Sequence, residues 1–340
     1  MTLMDKTQIT GISIIRRFVS VPTVISFAVA IAFIYLLANQ FNIDWTKAWV
    51  KISGTSPLYY ILALTLYYIS FLFRGARWRI LAGSSRPADS RKFSMPSQYQ
   101  FSQLILIGWF VNSISWFRLG DAYRAYLLSE KSKGGFSWGL GTIFAERVVD
   151  MLTVLVMVCA GVISYSVTHD SLGADYILFA AFAMASASIF LTLIVVRFGF
   201  EIAKLLPKRV SYVYLHFRQA VIKSFVYREL PRIFALGFIG WLLEVARLYV
   251  VVIALDMSIG IPLVFIVALG HAILSTVPTP GGVGAVEPGV TGLLTLGMAQ
   301  EEAVSVALVD RSITYLSIIL FGGIMFLFWQ IRAARSKSRR

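Results

Sequence analysis

The chain has 340 residues, of which 58% are hydrophobic and 14% are charged, and this composition excludes an ordinary soluble globular domain. The formal net charge is +14, but the basic residues fall in short blocks between apolar runs, which favours membrane topology over nucleic-acid binding. The single cysteine, Cys159, excludes an internal disulfide. The three histidines lack metal-site spacing, and no cofactor motif is present, so we expect no metal and no cofactor.

Six apolar runs approach the ~20 residues that a membrane-spanning helix needs. They cover residues 19–38, 57–73, 149–167, 176–196, 233–255 and 312–329. The first run is followed by no clear cleavage site, so we predict a retained helix rather than a signal peptide. The chain is thus divided into a cytoplasmic N-terminus (1–18), one transmembrane domain (19–329) and a basic cytoplasmic tail (330–340).

Lysine and arginine are concentrated in alternate connecting segments. Residues 74–100 hold six, 118–148 hold five and 197–232 hold eight, whereas 168–175 and 256–261 hold none. The positive-inside rule then places the rich segments and both termini in the cytoplasm, as in a multi-pass protein of the cytoplasmic (inner) membrane.

Two further stretches, 101–117 and 262–299, are weaker candidates for spanning helices. They fit this charge pattern only if each enters the membrane and returns to the same side. Residues 101–117 carry several polar side chains, and Pro278 and Pro280 interrupt 262–299. Non-helical backbone at membrane depth is tolerated where protein buries it or where it lines a cavity. We predict an all-α polytopic membrane protein with about six spanning helices and two re-entrant hairpins that enter from opposite leaflets.

The two re-entrant regions also align at a constant offset of 164 residues. Gly120 matches Gly284, and the Glu146-Arg147 pair matches Asp310-Arg311. Chance similarity between apolar segments is the alternative explanation. An odd number of crossings between the copies would make them an inverted repeat, an arrangement typical of secondary transporters.

Four clusters hold the candidate site residues, and all combine acids with arginine or glycine. They are Arg118, Asp121 and Arg124; Glu146, Arg147 and Asp150; Glu244 and Arg247; and Gly281, Gly282, Gly284 and Glu287 followed by Asp310 and Arg311. Arginine is suited to phosphate because its planar fork donates two parallel hydrogen bonds. A buried acid such as Glu287 needs a cationic partner, which Arg311 or Arg247 would supply.

Each cluster also has a simpler explanation. Under it, the first cluster is a basic loop that binds anionic lipid nonspecifically. The second is an ion pair that anchors a helix start, and the third is a structural ion pair inside an apolar helix. The glycines of the fourth would serve packing alone. Ionisable residues at membrane depth are nevertheless expensive and commonly functional.

The same motifs, taken in order, resemble a known family. They are Arg118-x-Gly120-Asp121-x-x-Arg124-x-x-Leu127-Leu128, Glu146-Arg147-x-x-Asp150, Pro280-Gly281-Gly282-x-Gly284-x-x-Glu287 and Asp310-Arg311. The chain is similar over roughly residues 15–330 to the membrane domain of the lysylphosphatidylglycerol synthase/flippase family. The resemblance implies a polytopic bundle that moves a lipid between leaflets. Some family members carry a soluble synthase domain, which this sequence does not show, so we expect a translocase rather than an enzyme.

We therefore expect a partner lipid with an anionic headgroup and no catalytic residues. Arg118, Arg124 and Arg147 would receive the headgroup on the cytoplasmic side, and Glu287, Asp310 and Arg311 would form the outer station. Glu244 and Arg247 would line the path. Two alternatives remain open: a polyprenyl-phosphate-dependent transferase, for which Asp170 and Asp175 are the available outer acids, and a scaffold for a lipid or glycan biosynthesis enzyme.

Overall fold

The computed structural model describes residues 45–87, 93–167 and 174–338, and these ranges are helical with no strand. The helices are α1 (Trp45–Ser53), α2 (Pro57–Ser84), α3 (Gln98–Ile114), α4 (Leu119–Ser132), α5 (Phe136–Ser166), α6 (Ala174–Arg197), α7 (Gly199–Leu205), α8 (Lys208–Ser224), α9 (Leu230–Ala254), α10 (Ile261–Leu274), α11 (Val286–Leu294), α12 (Gln300–Arg311) and α13 (Gly323–Ser338). Between α12 and α13 the helix widens into π-helical turns at Ser312–Leu316 and Ile318–Gly322.

Five helical segments of the described ranges are long and apolar enough to cross a membrane. They are Pro57–Ser84, Phe136–Ser166, Tyr176–Arg197, Tyr227–Ala254 and Gln300–Arg332. They confirm five of the six predicted runs, and the sixth, 19–38, lies outside the described residues. The predicted class, an all-α polytopic membrane protein, is therefore confirmed.

The predicted boundaries were wrong where charged residues enter the helices. Helix α2 continues to Ser84, so Arg74 and Arg77 are buried helical residues rather than part of a connecting loop. Helix α5 begins at Phe136, so the Glu146-Arg147 pair lies inside the helix and not at its mouth. The predicted runs ended at the first charged residue, because a charge interrupts the apolar pattern. The helices continue past that residue because the charges are paired with one another.

Helices α3 and α4 form the first hairpin. The chain breaks between them at Phe117 and Arg118, which adopt left-handed φ values of 59° and 53°. Gly120 allows the close approach of the limbs, because a Cβ there would lie 1.9 Å from the carbonyl oxygen of Gly108. The predicted re-entrant segment 101–117 was incomplete: it contains only the first limb, and the return limb α4 falls in the segment predicted as a cytoplasmic connection.

Helices α10 and α11 form the second hairpin, with its break around the predicted Pro280–Gly282 turn. Gly281 there has a φ of 58°, which few other residues adopt without strain. The tips of the two hairpins meet. The Phe117 N–H donates to the Pro278 carbonyl at 3.2 Å, and an Arg118 Nη donates to the Ser275 carbonyl at 2.7 Å.

Hairpin tips that meet inside the protein are what entry from opposite leaflets predicts. We expect cysteines placed at Ser97 and Glu130, at the far ends of the first hairpin, to react with an impermeant maleimide from one side of the membrane. Cysteines at Ser258 and Ala299, beside the second hairpin, should react from the other side. All four positions are exposed, and Cys159→Ala removes the native thiol. Labelling of all four from one side would contradict the opposed arrangement.

Candidate functional site

A cavity of about 130 Å³ lies where the two hairpin tips meet. Its lining comes from α2, α3, α5, α9, α10, the end of α12, the two tips and the π-helical segment after α12. Eight of the fourteen predicted site residues line it: Arg118, Arg147, Asp150, Glu244, Arg247, Gly281, Gly282 and Arg311. The other six do not line it: Asp121, Arg124, Glu146, Gly284, Glu287 and Asp310. Asp121 and Glu287 bind lining arginines, Glu146 and Asp310 precede such arginines in sequence, and Arg124 and Gly284 bind members of this second set.

The first hairpin is tied to α5 by Asp121 and Arg147. An Arg147 Nη donates to both carboxylate oxygens of Asp121, at 2.9 and 3.1 Å. The pair is only partly buried, with Arg147 27% and Asp121 23% exposed. Arg147 lines the cavity and its partner Asp121 does not, so the guanidinium lies between the carboxylate and the cavity.

A second, more deeply buried group of charges joins α2 to α4 and α5. Arg77 contacts Asp150 at 2.8 Å and Glu146 at 3.3 Å. Arg124 reaches the other oxygen of Glu146 at 2.9 Å and is completely buried. Arg124 does not line the cavity, so its position supports a structural role instead of direct contact with a bound group.

The second hairpin is tied to α12 in the same manner. Arg311 Nε donates to Glu287 at 2.8 Å, and an Arg311 Nη donates to the Gly281 carbonyl at 3.1 Å. The other oxygen of Glu287 accepts from the Gly284 N–H at 2.7 Å. Glu287 therefore stabilises the broken backbone and the cation together, and Arg311, like Arg147, is the member that lines the cavity.

The centre of the site is a chain of charges between α2, α9 and α12. Arg74 contacts Glu244 at 3.2 Å, and Arg247 contacts Glu244 at 3.1 Å. Arg247 also contacts the fully buried Asp310. Nδ1 of His271, from α10, lies 3.0 Å from the other oxygen of Asp310. Asp310 is thus held by one fixed cation and one titratable ring.

The two halves of the molecule share one pattern of ion pairs, built around the Glu146-Arg147 and Asp310-Arg311 pairs that keep the offset noted in the sequence. In each, a hairpin carboxylate (Asp121 or Glu287) binds the arginine of an acid–arginine pair. The acid of that pair is held by an arginine from a central helix, Arg77 in one half and Arg247 in the other. The predicted correspondence of Glu146-Arg147 with Asp310-Arg311 thus extends to their partners.

Arg118 differs from the other arginines of the site. Among the described residues no carboxylate lies within 4 Å of it, and its recorded bond is to the Ser275 carbonyl. The charge network, defined here as Arg118 together with the ion-paired groups at and behind the cavity wall, contains seven arginines and six carboxylates, which leaves one positive charge in excess. The arginines are Arg74, Arg77, Arg118, Arg124, Arg147, Arg247 and Arg311, and the acids are Asp121, Glu146, Asp150, Glu244, Glu287 and Asp310.

Aromatic rings support the cations on the cavity wall. The Arg74 guanidinium lies 4.6 Å from the Trp241 ring centroid and 5.2 Å from that of Trp109. The Arg311 guanidinium lies 4.6 Å from the Tyr315 ring. Such faces stabilise a cation without neutralising its charge, so these arginines of the wall stay positively charged.

Sequence reasoning missed Arg74, Arg77 and His271. The two arginines are three residues apart at the end of an apolar run, a spacing that places both on one helix face, but the run was ended at residue 73. His271 had no neighbouring sequence signal. Among the described residues no group of three His, Cys, Asp or Glu side chains could hold a metal ion. Asp170 and the side chain of Asp175 lie outside what the structure describes.

Comparison with known proteins gives one family. The model of the lysylphosphatidylglycerol synthase TM region matches residues 23–322. A UPF0104 membrane protein of Methanocaldococcus jannaschii is 32% identical over 223 residues, which cover 64% of this chain and 93% of the relative. A second from the same organism is 22% identical over 91% of this chain and 96% of its own length. One from Methanothermobacter thermautotrophicus is 24% identical over 82% of this chain and 85% of its own length.

Proposed function

We propose that this chain, a multi-pass membrane protein that belongs to the family of the lysylphosphatidylglycerol synthase TM region, is a translocase that moves a lipid with an anionic headgroup between the leaflets of the cytoplasmic membrane. The observation that carries the proposal is the cavity between the hairpin tips, which five arginines and two carboxylates line. A cavity that exposes cations at the meeting point of two broken helices suits the passage of an anion.

The charge balance favours a headgroup with a single negative charge. One arginine of the charge network is in excess, and Arg118 is the one without a carboxylate within 4 Å among the described residues. A phosphodiester carries one negative charge and accepts the paired hydrogen bonds that a guanidinium donates. Its entry would bring the network to neutrality, whereas a zwitterionic headgroup would add a cation to a wall that is already cationic.

The arrangement of Arg147 and Arg311 suggests how the two ends of the path alternate. Each arginine faces the cavity, while its acid binds it from the hairpin. A phosphate in the cavity can replace Asp121 at Arg147, or Glu287 at Arg311, without leaving a guanidinium unpaired, so the exchange avoids the large cost of a bare buried charge. Loss of the Asp121 bond leaves the first hairpin held to α5 by the pair of Arg124 and Glu146. Loss of the Glu287 bond leaves the second held to α12 by the bond from Arg311 to the Gly281 carbonyl, so each exchange loosens one hairpin.

In this scheme Arg118 and Arg147 receive the headgroup on the cytoplasmic side, and Arg311 with Arg247 receives it on the outer side. Arg124 is not part of the first station, because it is buried behind Glu146. The acyl chains stay in the bilayer throughout, since a cavity of about 130 Å³ admits a headgroup alone.

Leaflet exchange in proteoliposomes tests the proposal. We expect the purified protein to exchange fluorescent phosphatidylglycerol, measured by dithionite quenching, faster than fluorescent phosphatidylcholine. Arg147→Ala should lower the phosphatidylglycerol rate at least about tenfold, because a lost charge-assisted hydrogen bond is worth roughly 1.5–3 kcal/mol.

The matched control is Arg228→Ala, at an exposed arginine before α9 and outside the cavity, which should exchange lipid at the wild-type rate. Phosphatidylglycerol exchange at the wild-type rate in a folded Arg147→Ala protein, or equal rates for both lipids, would contradict the proposal.

A further inference from the structure

His271 is the cavity-lining group whose charge can change near neutral pH. The other charged side chains of the wall are arginines, which stay protonated, and the carboxylates of Asp150 and Glu244, which arginines hold in ion pairs. An imidazole changes charge between about pH 5 and pH 8. His271 lines the cavity from the last turn of α10, so it can exchange a proton with whatever occupies the space.

Two features of the structure favour an imidazolium at His271. Its Nδ1 lies 3.0 Å from an oxygen of Asp310, which is itself buried. The ring also lies at the C-terminal end of α10, where the helix dipole attracts positive charge.

Two features oppose it. Arg247 and Arg311, from α9 and α12, present positive charge to the ring, and the ring is largely buried. The remaining charges that line the cavity are Glu244 on α9, Asp150 and Arg147 on α5, Arg74 on α2 and Arg118 at the first tip. An anion that enters the cavity would offset the positive field of Arg247 and Arg311 and so favour the imidazolium.

We propose that His271 and Asp310 form a proton-binding site that takes up a proton when an anionic headgroup enters the cavity. This inference rests on the proposed function and adds proton coupling to it. With the ring neutral, Nδ1–H donates to Asp310 and Nε2 carries the lone pair. The proton from water binds to Nε2, and the imidazolium remains paired with the carboxylate.

Linkage fixes the sign of the pH dependence. If headgroup binding favours the protonated ring, protonation must favour headgroup binding by the same factor. The affinity should therefore rise as the pH falls through the range where His271 titrates. Coupling free energies between sites usually correspond to factors of 5–150, so we expect headgroup affinity to increase at least about fivefold from about pH 8 to about pH 5.5.

The experiment is calorimetric titration of the full-length protein in detergent with dihexanoyl-phosphatidylglycerol, whose phosphodiester stays charged throughout this range. Titrations in two buffers of different ionisation enthalpy give the protons taken up per lipid bound. We expect net uptake in the wild type. The uptake and the pH dependence of affinity should be absent in His271→Gln. His216→Gln is the matched control, since His216 lies on α8 and does not line the cavity, and it should behave like the wild type.

The outcomes separate the two proposals. Binding by the wild type without proton uptake overturns the coupling and leaves the translocase proposal standing, whether or not the variant folds. Undiminished uptake in His271→Gln also overturns it. A wild type that does not bind the lipid at all overturns the proposed function, and the coupling with it.

Discussion

Arg77→Ala is expected to cause the largest loss of stability among single arginine substitutions in α2. The Arg77 side chain is 1% exposed and contacts Asp150 at 2.8 Å and Glu146 at 3.3 Å. Removing one partner of a buried ion pair usually costs about 3–5 kcal/mol, because the remaining charge stays buried without compensation. Here two carboxylates lose a contact at once. Arg77→Lys should recover part of the loss, since it keeps the charge but not the planar fork.

The measurement is the fraction of protein that stays monodisperse in detergent after heating, followed by size-exclusion chromatography. Arg79→Ala is the matched control, because Arg79 lies on the same helix two residues further on, is exposed and donates to the Pro96 carbonyl. We expect this control to melt within a few degrees of the wild type. Equal melting of Arg77→Ala and Arg79→Ala would show that the buried pairs contribute little to stability.

The features of the fold that the sequence predicted are those encoded locally. Apolar runs and alternating basic segments depend on neighbouring residues, and they predicted five spans that the structure contains. The second hairpin was predicted because proline and glycine break a helix wherever they occur in its interior. The first break carries no such residue at Phe117 and Arg118, so the return limb α4 was taken for a connection.

The charge network was predictable only in part, for a physical reason. Glu244 and Arg247 are three residues apart on one helix, so their contact follows from helix geometry. Arg77 and Glu146 are separated by 69 residues, and their contact depends on how α2 packs against α5. The charges of Arg74 and Arg77 lowered the hydropathy that would have assigned them to a helix, although their pairing is what allows the helix to continue.

Arg118→Gln is expected to reduce phosphatidylglycerol exchange more than any other substitution that leaves the ion pairs intact. Arg118 is the cation of the network without a carboxylate within 4 Å among the described residues, and it lines the cavity. Its loss removes the excess positive charge, so an entering headgroup would leave the network with a net negative charge. A hydrogen bond to a charged group contributes roughly 1.5–3 kcal/mol, which corresponds to a rate about ten to a hundred times lower in the exchange assay.

Arg118→Lys provides the comparison that separates charge from structure. Lysine keeps the excess charge but cannot form the paired contacts of guanidinium, so we expect its exchange rate to lie between those of the wild type and Arg118→Gln. Both variants weaken the bond to the Ser275 carbonyl that joins the hairpin tips, so a purely structural role would lower their exchange rates and thermal stabilities together. The charge argument requires the lysine variant to exchange faster at matched stability, and equal rates for the two variants would refute it.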